Sequence, residues 1–272
     1  METLTRAFED ERPGLHIPWR NLAHLLQIPP GILVIVLGAP GALKSMFSLA
    51  WCLELDEPTR IISLDTDPRT QASRIIARGT GIPSAKILED RPRWAPWLRE
   101  QKLKLKVGIQ PTSAIEVGEV IAADTEFWGK APALVVVDDV SKLKMDRDYS
   151  SYDGAFLELH RAAKRHNTVV MAIHHLHRGD SSARTKPIRL TDGKYTGEYE
   201  APIVLGLWRP QHNQLKVGIL KNRFGPDDPE GLHPVDLYAD PSICDIRDSY
   251  TPGIAVGRES DYDPIAEGLI RP

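Results

Sequence analysis

A glycine-rich turn between an apolar run and a helical pattern limits the fold of this chain more than any other feature. The run at 32–37 is β-branched and continuous, as in a strand buried on both faces, and the helical pattern covers 45–55. The turn between them reads Gly38, Ala39, Pro40, Gly41, Ala42, Leu43, Lys44, Ser45. Backbone N–H groups in such a turn, together with the positive end of the helix dipole, favour phosphate. The segment therefore predicts a loop that binds the phosphates of a nucleotide.

Two side chains at the end of this loop complete the predicted site. Lys44 would reach the β- and γ-phosphates of ATP, and the Ser45 hydroxyl would bind Mg²⁺. Leu43 departs from the pattern, because a glycine usually stands just before the lysine and lets the backbone approach the phosphates without a Cβ in the way. The loop thus predicts nucleotide binding, and Leu43 raises the alternative that binding or hydrolysis is weakened.

The composition argues against several other classes of protein. The 272 residues carry a formal net charge of −3, which does not favour a binder that works by overall positive charge. No apolar run approaches the ~20 residues needed to cross a bilayer, and the charged N-terminus lacks the apolar core of a secretory signal. Cys52 and Cys244 lie in apolar stretches, so we expect no disulfide framework and a reducing, cytoplasmic location.

Strand patterns alternate with helical patterns along most of the chain. Such alternation predicts an α/β fold with a mostly parallel, buried central sheet and crossover helices. The last two strand patterns are joined only by a short turn, so the sheet is predicted to end in an antiparallel hairpin. The further strand patterns lie at 61–64, 104–108, 134–137, 169–173, 203–208 and 214–220, and the further helical patterns at 71–80, 114–128 and 152–166.

Three segments fall outside this alternation. Residues 89–100, with two prolines and two tryptophans, are predicted to form a surface excursion, and 179–199, rich in Gly, Ser, Thr and charge, a long loop. After Asp245 the chain loses periodicity and turns acidic, which predicts a flexible tail. The expected domains are an N-terminal arm at 1–16, an ATPase domain at 17–247 and a C-terminal tail at 248–272.

A second apolar run ends in two carboxylates, Asp138 and Asp139, and has the form of a Walker B element. Asp138 would hold Mg²⁺, in part through water, because magnesium keeps several of its water molecules. The alternative is a strand that merely ends in a polar turn. Together with Ser45, Asp138 forms the predicted metal site beside the phosphates.

Further segments resemble the RecA-like motor domain of DnaB-type replicative helicases, over about residues 17–246. They are 22–31, Ser63-Leu64-Asp65, 159–164 with the strand pattern after it, and Lys221-Asn222-Arg223-Phe224-Gly225-Pro226. The last resembles the family's Lys-x-Arg-x-Gly-Pro segment most specifically. The resemblance implies a RecA-like P-loop NTPase core, ATP and Mg²⁺ as cofactors, and a homo-oligomer, usually a hexameric ring. Because only residues 1–31 precede the first core strand, the chain resembles small, collar-less plasmid or phage members.

The resemblance also implies catalytic roles for five side chains. Asp65 stands where the family has a glutamate that polarises the attacking water, with Asp67 as the reserve; either could instead cap the next helix. His175 stands where the family has a glutamine that senses the γ-phosphate, and histidine would add pH sensitivity; the alternative is a histidine at a wet strand end. Lys221 and Arg223 would act on the neighbouring subunit's nucleotide, or form a solvated basic turn.

Two locally basic loops are the predicted contacts with single-stranded DNA. In RecA-like motors the loops after the Walker B strand and after the next strand face the central channel. Lysines and arginines there would track DNA phosphates, and the alternative is a pair of mobile, solvated loops. The predicted DNA-binding residues are Lys142, Lys144, Arg147, Arg178, Arg184, Lys186 and Arg189.

The sequence supports three functions. The first is an ATP-driven motor on single-stranded DNA, most simply a hexameric replicative-type helicase. The second is a RecA-like recombination or annealing protein that forms filaments on single-stranded DNA. The third is a nucleotide-bound replication partner whose hydrolysis has decayed, as Leu43 and the short acid Asp65 would allow. The tails are candidate contacts for other replication proteins, and no membrane partner is expected.

Overall fold

Nine strands form a single sheet in the part of the chain that the structure, a computed structural model, describes: residues 13–110, 112–144, 152–176, 184–193 and 200–249. The strands are β1 (Leu33–Gly38), β2 (Thr59–Ser63), β3 (Leu105–Gly108), β4 (Leu134–Asp138), β5 (Val169–His175), β6 (Ile203–Trp208), β7 (Gln214–Asn222), β8 (Val235–Asp240) and β9 (Asp245–Asp248). Their order is β3-β2-β4-β5-β1-β6-β7-β8-β9. In this order the strands from β3 to β6 pair in parallel, and those from β6 to β9 pair antiparallel. This arrangement confirms the predicted α/β fold.

Helices cover both faces of this sheet. They are α1 (Arg20–Ala23), α2 (Lys44–Glu54), α3 (Pro68–Thr80), α4 (Ser84–Glu89), α5 (Arg91–Glu100), α6 (Ala114–Trp128) and α7 (Tyr152–His166). On the α2 face, Trp19 stacks on Phe47 and meets Trp51 edge to face. On the other face, α6 and α7 bury their apolar sides. Side chains of β1 alternate between these two cores, which is why a strand buried on both faces reads as a continuous apolar run.

The far end of the sheet extends beyond the predicted hairpin. The strands β6 and β7 do pair antiparallel, but β8 and β9 continue the sheet past them. The expectation that periodicity ends at Asp245 is therefore wrong for β9. Its four residues include three charged ones, and β8 alternates buried with more exposed positions. Short, half-solvated strands of this kind carry little of the apolar signal that marks the buried strands.

The surface excursion predicted at 89–100 is helical, because nearly all of this segment belongs to the helices α4 and α5. Pro92 lies at the start of α5, where a missing N–H leaves no helical hydrogen bond unmade. Pro96 lies inside the helix and costs it one such bond. Burial of Trp94 against Ile76, Ala77 and Ile87 in a small third core compensates for that loss.

The N-terminal segment lies against the end of the sheet. The indole Nε1 of Trp19 donates to the Ile246 carbonyl at 3.1 Å, and the Asp248 carboxylate accepts from the backbone N–H groups of Arg20 and Asn21. The predicted arm is described only from residue 13, and the predicted tail only to residue 249. None of the described helices has both the length and the apolar character required to cross a bilayer.

Candidate nucleotide site

The phosphate loop leaves β1 at the centre of the sheet, between β5 and β6. In open α/β sheets, ligands bind outside the carboxyl ends of the parallel strands, and the loop lies at that edge. Gly38 has no room for a side chain, since a Cβ would lie 2.9 Å from the Leu207 carbonyl oxygen. Gly41 has a φ of 79°, a conformation that favours glycine. Both glycines are therefore required by the path of the loop.

Leu43 has a left-handed backbone, with φ 66° and ψ 22°, immediately before α2. For a residue with a Cβ this conformation costs about 1–2 kcal/mol relative to the right-handed one. The Leu43 side chain is half-buried and packs against the core on the α2 face, which offsets part of the cost. Leucine thus replaces the consensus glycine at a position whose left-handed backbone favours glycine.

Lys44 is folded back onto its own loop. Its Nζ donates to the carbonyl oxygens of Gly38 at 2.8 Å and Ala39 at 3.1 Å, and it lies 2.7 Å from Nδ1 of His175. Burial lowers the pKa of Lys44 to about 8, although Asp139 and Asp138 act in the opposite direction. Each of the three ammonium protons therefore has an acceptor. A phosphate group that entered the loop would replace these acceptors.

His175 connects Lys44 with a second buried carboxylate. A charged Lys44 can only donate, so Nδ1 of His175 accepts and the ring proton lies on Nε2. This Nε2 is 3.1 Å from Oδ2 of Asp139, which is fully buried. The ring N–H faces the Asp139 carboxylate without the alignment of a hydrogen bond, since Oδ2 has no hydrogen-bond partner among the described residues. His175 therefore contacts the phosphate-loop lysine, and it is not simply a solvated strand end.

Asp138 and Ser45 form an arrangement that fits Mg²⁺. Burial raises the pKa of Asp138 to about 6, and a hydrogen bond from the Ser45 hydroxyl partly opposes the rise. Oδ1 of Asp138 is buried and lacks a hydrogen-bond partner among the described residues. Mg²⁺ commonly uses one carboxylate, a hydroxyl, substrate phosphates and water. The orphaned oxygen beside Ser45 has the chemistry of such a site, whereas no cluster of three His, Cys, Asp or Glu side chains occurs in the described ranges.

The two candidate catalytic carboxylates after β2 differ in what they contact. Asp65 is exposed, and its Oδ1 lies 3.9 Å from the Lys142 ammonium. Asp67 is the N-cap of α3, where its carboxylate accepts from the backbone N–H groups of Arg69 and Thr70 and from the Thr70 hydroxyl. Those hydrogen bonds lower the pKa of Asp67. The capping alternative thus describes Asp67, and Asp65 alone keeps a carboxylate available at the strand end.

Lys221 and Arg223 lie at the end of the sheet where the parallel strands begin, whereas the phosphate loop lies where they end. Gly38 is beside Leu207 at the carboxyl end of β6, whereas Asn222 is beside Ile203 at its amino end. The four residue-to-residue steps from Ile203 to Leu207 span about 13 Å of strand. Neither basic side chain is therefore near the phosphate loop of its own chain.

Arg223 borders a basic cavity on the surface of α7. The cavity has a volume of about 360 Å³, and three cationic side chains line it together with His160, Glu200 and Leu157: Arg161, Lys164 and Arg223. Nε2 of His160 is buried there without a hydrogen-bond partner among the described residues. Burial lowers the pKa of His160, and the charge of Lys164 lowers it further. This surface has the charge expected of one that receives an anion.

The predicted DNA-binding residues separate into groups with different surroundings. Lys142 lies near Asp65, and the Lys144 ammonium is 3.8 Å from Glu116. Arg189 pairs with Glu230 at 3.3 Å, and Lys186 is exposed. Arg147 and Arg178 lie outside the described residues. Arg184 is placed differently from the rest, because its side chain lies against the phosphate loop at Gly41.

Sequence reasoning missed the surroundings of three side chains at the carboxyl edge. Asp139 appeared in the carboxylate pair, but nothing in the sequence indicated that it would face His175. Arg184 was predicted as a DNA contact and not as a neighbour of the phosphate loop, and Arg209 was not predicted at all. Only the chain path through the carboxyl edge brings these side chains there, so no local signal could have indicated their positions.

Comparisons with known proteins support the same architecture. No protein-family model matches the chain. It is 29% identical to the Gene 65 protein of Mycobacterium phage L5 over 218 residues, covering 74% of the chain and 80% of the phage protein. With the Gene 65 protein of Mycobacterium phage D29 it shares 29% identity over 216 residues, covering 73% of the chain and 91% of that protein.

Solved structures with the same fold include an ATPase domain, a replicative helicase and a recombinase. The ATPase domain of G40P superposes with a TM-score of 0.75 at 18% identity, over 92% of the chain and 97% of that domain. A DnaB-like replicative helicase gives 0.74 at 18% identity, over 92% of the chain and 67% of the helicase. The RadB recombinase gives 0.56 at 20% identity, over 87% of the chain and all of RadB. These likenesses confirm the predicted RecA-like fold and its resemblance to DnaB-type ATPase domains.

Proposed function

We propose that this protein is an ATP-hydrolysing RecA-like motor that acts on single-stranded DNA as a ring, most simply a hexameric helicase of the DnaB type. One observation carries the proposal. The phosphate loop with Lys44, Ser45 and Asp138 lies at one edge of the sheet, and the basic pair Lys221 and Arg223 lies at the other. A complete ATP site then needs two copies of the chain, one supplying each half.

In the first half of the site, the loop N–H groups and Lys44 bind the phosphates of ATP. The lysine leaves the carbonyl oxygens of Gly38 and Ala39 for the β- and γ-phosphates, and His175 is released from it. Ser45 and Asp138 are the residues that would hold Mg²⁺. When bound, the ion neutralises charge that develops on the phosphates. The cost of burying the Asp138 carboxylate is thereby offset by a cation.

Asp65 is the proposed residue that orients the attacking water. It follows β2, which is next to the Asp138 strand β4, so the two carboxylates occupy the same edge. Asp65 is exposed and free of capping bonds, unlike Asp67. Being one methylene shorter than glutamate, it needs the water closer to the strand end. His175, which lies between Lys44 and Asp139, is the proposed sensor of the γ-phosphate.

The second half of the site comes from the neighbouring copy. Arg223 and Lys221 approach the γ-phosphate in trans and stabilise charge on it, as an arginine finger does. The basic cavity formed by α7 and Arg223 provides a positive surface around this contact. Single-stranded DNA would contact the exposed lysines Lys142, Lys144 and Lys186, which follow strands at the carboxyl edge.

Mixed assemblies test the shared site directly. Lys44→Ala removes the phosphate-loop half, and Arg223→Ala removes the trans half, so each variant alone should lose DNA-stimulated ATP turnover by at least 100-fold, roughly. When the two are mixed, some interfaces combine an intact loop with an intact arginine, and turnover should return. A mixture of Lys44→Ala with Asp138→Ala is the matched control, because both defects lie in the same half.

The outcomes separate the components of the proposal. No recovery in the first mixture would show that Arg223 serves its own subunit and would exclude the shared site. Turnover without strand separation would exclude the helicase while keeping the ATPase. Absence of any turnover by the unaltered protein would favour the non-motor replication partner.

A recombinase-type filament is the second candidate, and the likeness to RadB over 87% of the chain supports it. Electron microscopy with ATP and single-stranded DNA separates the two assemblies. Closed rings support the helicase, whereas helical filaments support the recombinase. The mixing experiment applies to both, because a filament also places one copy's arginine beside the next copy's loop.

A further inference from the structure

We propose that Arg184 binds the polyphosphate of the nucleotide held by its own subunit, which extends the proposed ATP site and rests on it. The observation is one of position. At Gly41, in the middle of the phosphate loop, a Cβ would lie 3.1 Å from Cδ and 3.4 Å from a terminal guanidinium nitrogen of Arg184. The arginine therefore lies in contact with the loop that wraps the phosphates.

The segment around Arg184 is fastened to the sheet, so this position is set by packing. The Arg184 carbonyl oxygen accepts from the backbone N–H of Arg209 at 2.7 Å, at the end of β6. Four residues later Ile188 is buried, and the Leu190 N–H donates to the Pro229 carbonyl at 2.8 Å. The hydrogen bond at Arg184 and the contacts of Ile188 and Leu190 hold residues 184–190 in place at the carboxyl edge. Arg184 is thereby presented to the loop by a constrained backbone.

The charge at this point is unbalanced within the described residues. Burial lowers the pKa of Arg209, and the nearby charge of Arg184 lowers it further. The guanidinium of Arg209 donates to the His212 carbonyl, while its Nε is buried and has no hydrogen-bond partner among the described residues. None of the ion pairs between described residues joins either arginine to a carboxylate. Two adjacent guanidinium groups with no counter-charge among the described residues favour an anionic ligand.

A nucleotide fits this position better than a DNA strand. The loop N–H groups beside Gly41 bind phosphate, so an arginine that touches the loop is within reach of the same anion. Other predicted DNA contacts are spaced along the edge and lie near acids, such as Lys144 near Glu116 and Arg189 near Glu230. Arg184 instead adds to the positive charge of Lys44. We therefore assign it to the polyphosphate rather than to the DNA backbone.

Direct binding measurements test this assignment without requiring hydrolysis. Fluorescent ATP and ADP analogues are titrated with Mg²⁺ into the full-length protein and its Arg184→Ala and Arg184→Lys variants. Loss of a charge-assisted contact should weaken ATP-analogue binding about 10- to 100-fold in Arg184→Ala, with a smaller loss in Arg184→Lys. Arg99→Ala, an exposed arginine on α5, is the control and should bind like the unaltered protein. Affinity for a fluorescent single strand, measured without nucleotide, should stay within about twofold in Arg184→Ala.

Each other outcome overturns the assignment. Unchanged nucleotide affinity with weakened single-strand binding in Arg184→Ala would make Arg184 a DNA contact. Unchanged affinity for both ligands would make it a solvated arginine that happens to lie on the loop. If the unaltered protein bound neither ATP nor ADP, the proposed function would fail as well. That result differs visibly from failure of the Arg184 assignment alone, where the unaltered protein still binds.

Discussion

Leu43 departs from the phosphate-loop motif and also has a strained backbone. The loop keeps its lysine, its serine and the first of the two consensus glycines, so the motif is recognisable from the sequence alone. The left-handed backbone at Leu43 is invisible there, because φ depends on how the loop enters α2. From the sequence, the problem with Leu43 is a Cβ in the way of the phosphates. The structure adds the cost of a left-handed backbone at this residue.

Replacing Leu43 by glycine and by alanine separates strain from packing. Both variants lose the side-chain contacts with the core, but only glycine relieves the backbone with φ 66°. We expect Leu43→Gly to be more stable than Leu43→Ala by about 1 kcal/mol, the reverse of the usual order at a helix. Urea unfolding of the two variants measures the difference. Equal stabilities, or a more stable alanine variant, would mean that the backbone there is not strained.

The titration of Asp138 gives a pH dependence with a definite sign. Its pKa is raised from 3.8 to about 6, chiefly by burial, so the folded chain holds the proton to higher pH than the unfolded chain does. The stability contributed by this group is present below about pH 4 and is lost as the pH rises through about 6. Asp138→Asn has no such loss, so its stability relative to the parent should increase by about 3 kcal/mol between pH 4 and pH 7. Urea unfolding in EDTA measures it, and a constant difference across this range would contradict it.

At the scale of elements, the buried strands and long amphipathic helices were predictable, and the short helices α4 and α5 were not. The central strands are apolar throughout because both faces are covered, and α6 and α7 match their predicted bounds. The pair α4 and α5 is held by a small separate core around Trp94, which no periodicity over so few residues reveals. Contact between elements, rather than local propensity, makes this segment helical.

Two helix-interior glycines test how tightly these elements pack. A Cβ at Gly79 in α3 would lie 2.4 Å from the Trp97 ring in α5, whereas a Cβ at Gly118 in α6 would have its nearest neighbours at 3.9 Å. We expect Gly79→Ala to destabilise the protein by about 1–3 kcal/mol, because a rigid indole has to move. Gly118→Ala should instead stabilise it by up to about 1 kcal/mol, the usual gain in a helix. Thermal or urea unfolding compares the pair, and a stabilising Gly79→Ala would contradict the observed packing of α3 on α5.

At the scale of the whole molecule, the described N-terminal segment and the last strand are one structural unit. Asp248 lies at the boundary predicted between domain and tail, yet its carboxylate caps backbone N–H groups at the start of α1. The four antiparallel strands extend the parallel sheet away from the phosphate loop. They also carry Lys221 and Arg223 to the edge from which a second copy would be reached.

Removal of the Asp248 carboxylate should cost more than removal of an exposed ion pair. Asp248→Ala leaves the N–H groups of Arg20 and Asn21 at the start of α1 without this acceptor, and we expect a loss of about 1–2 kcal/mol, as when a helix cap is removed. Asp236→Ala is the matched control on the neighbouring strand, where the exposed pair with Lys216 contributes below about 1 kcal/mol. Urea unfolding of both variants provides the comparison. Equal losses would show that the N-terminal segment is not held through Asp248.

The sequence by itself determined the α/β alternation, the phosphate loop and the carboxylate pair after β4. These are local patterns, because a buried strand, a glycine turn and the start of a helix can each be recognised from a few consecutive residues. The tertiary structure alone decided the use of Asp67 as a cap, the contact of Lys44 with His175, and the position of Arg184 on the loop. It also decided that Arg223 lies at the opposite end of the strands from the phosphate loop of its own chain. These features depend on which strand ends become neighbours, and strand order is a long-range property that no window of sequence contains.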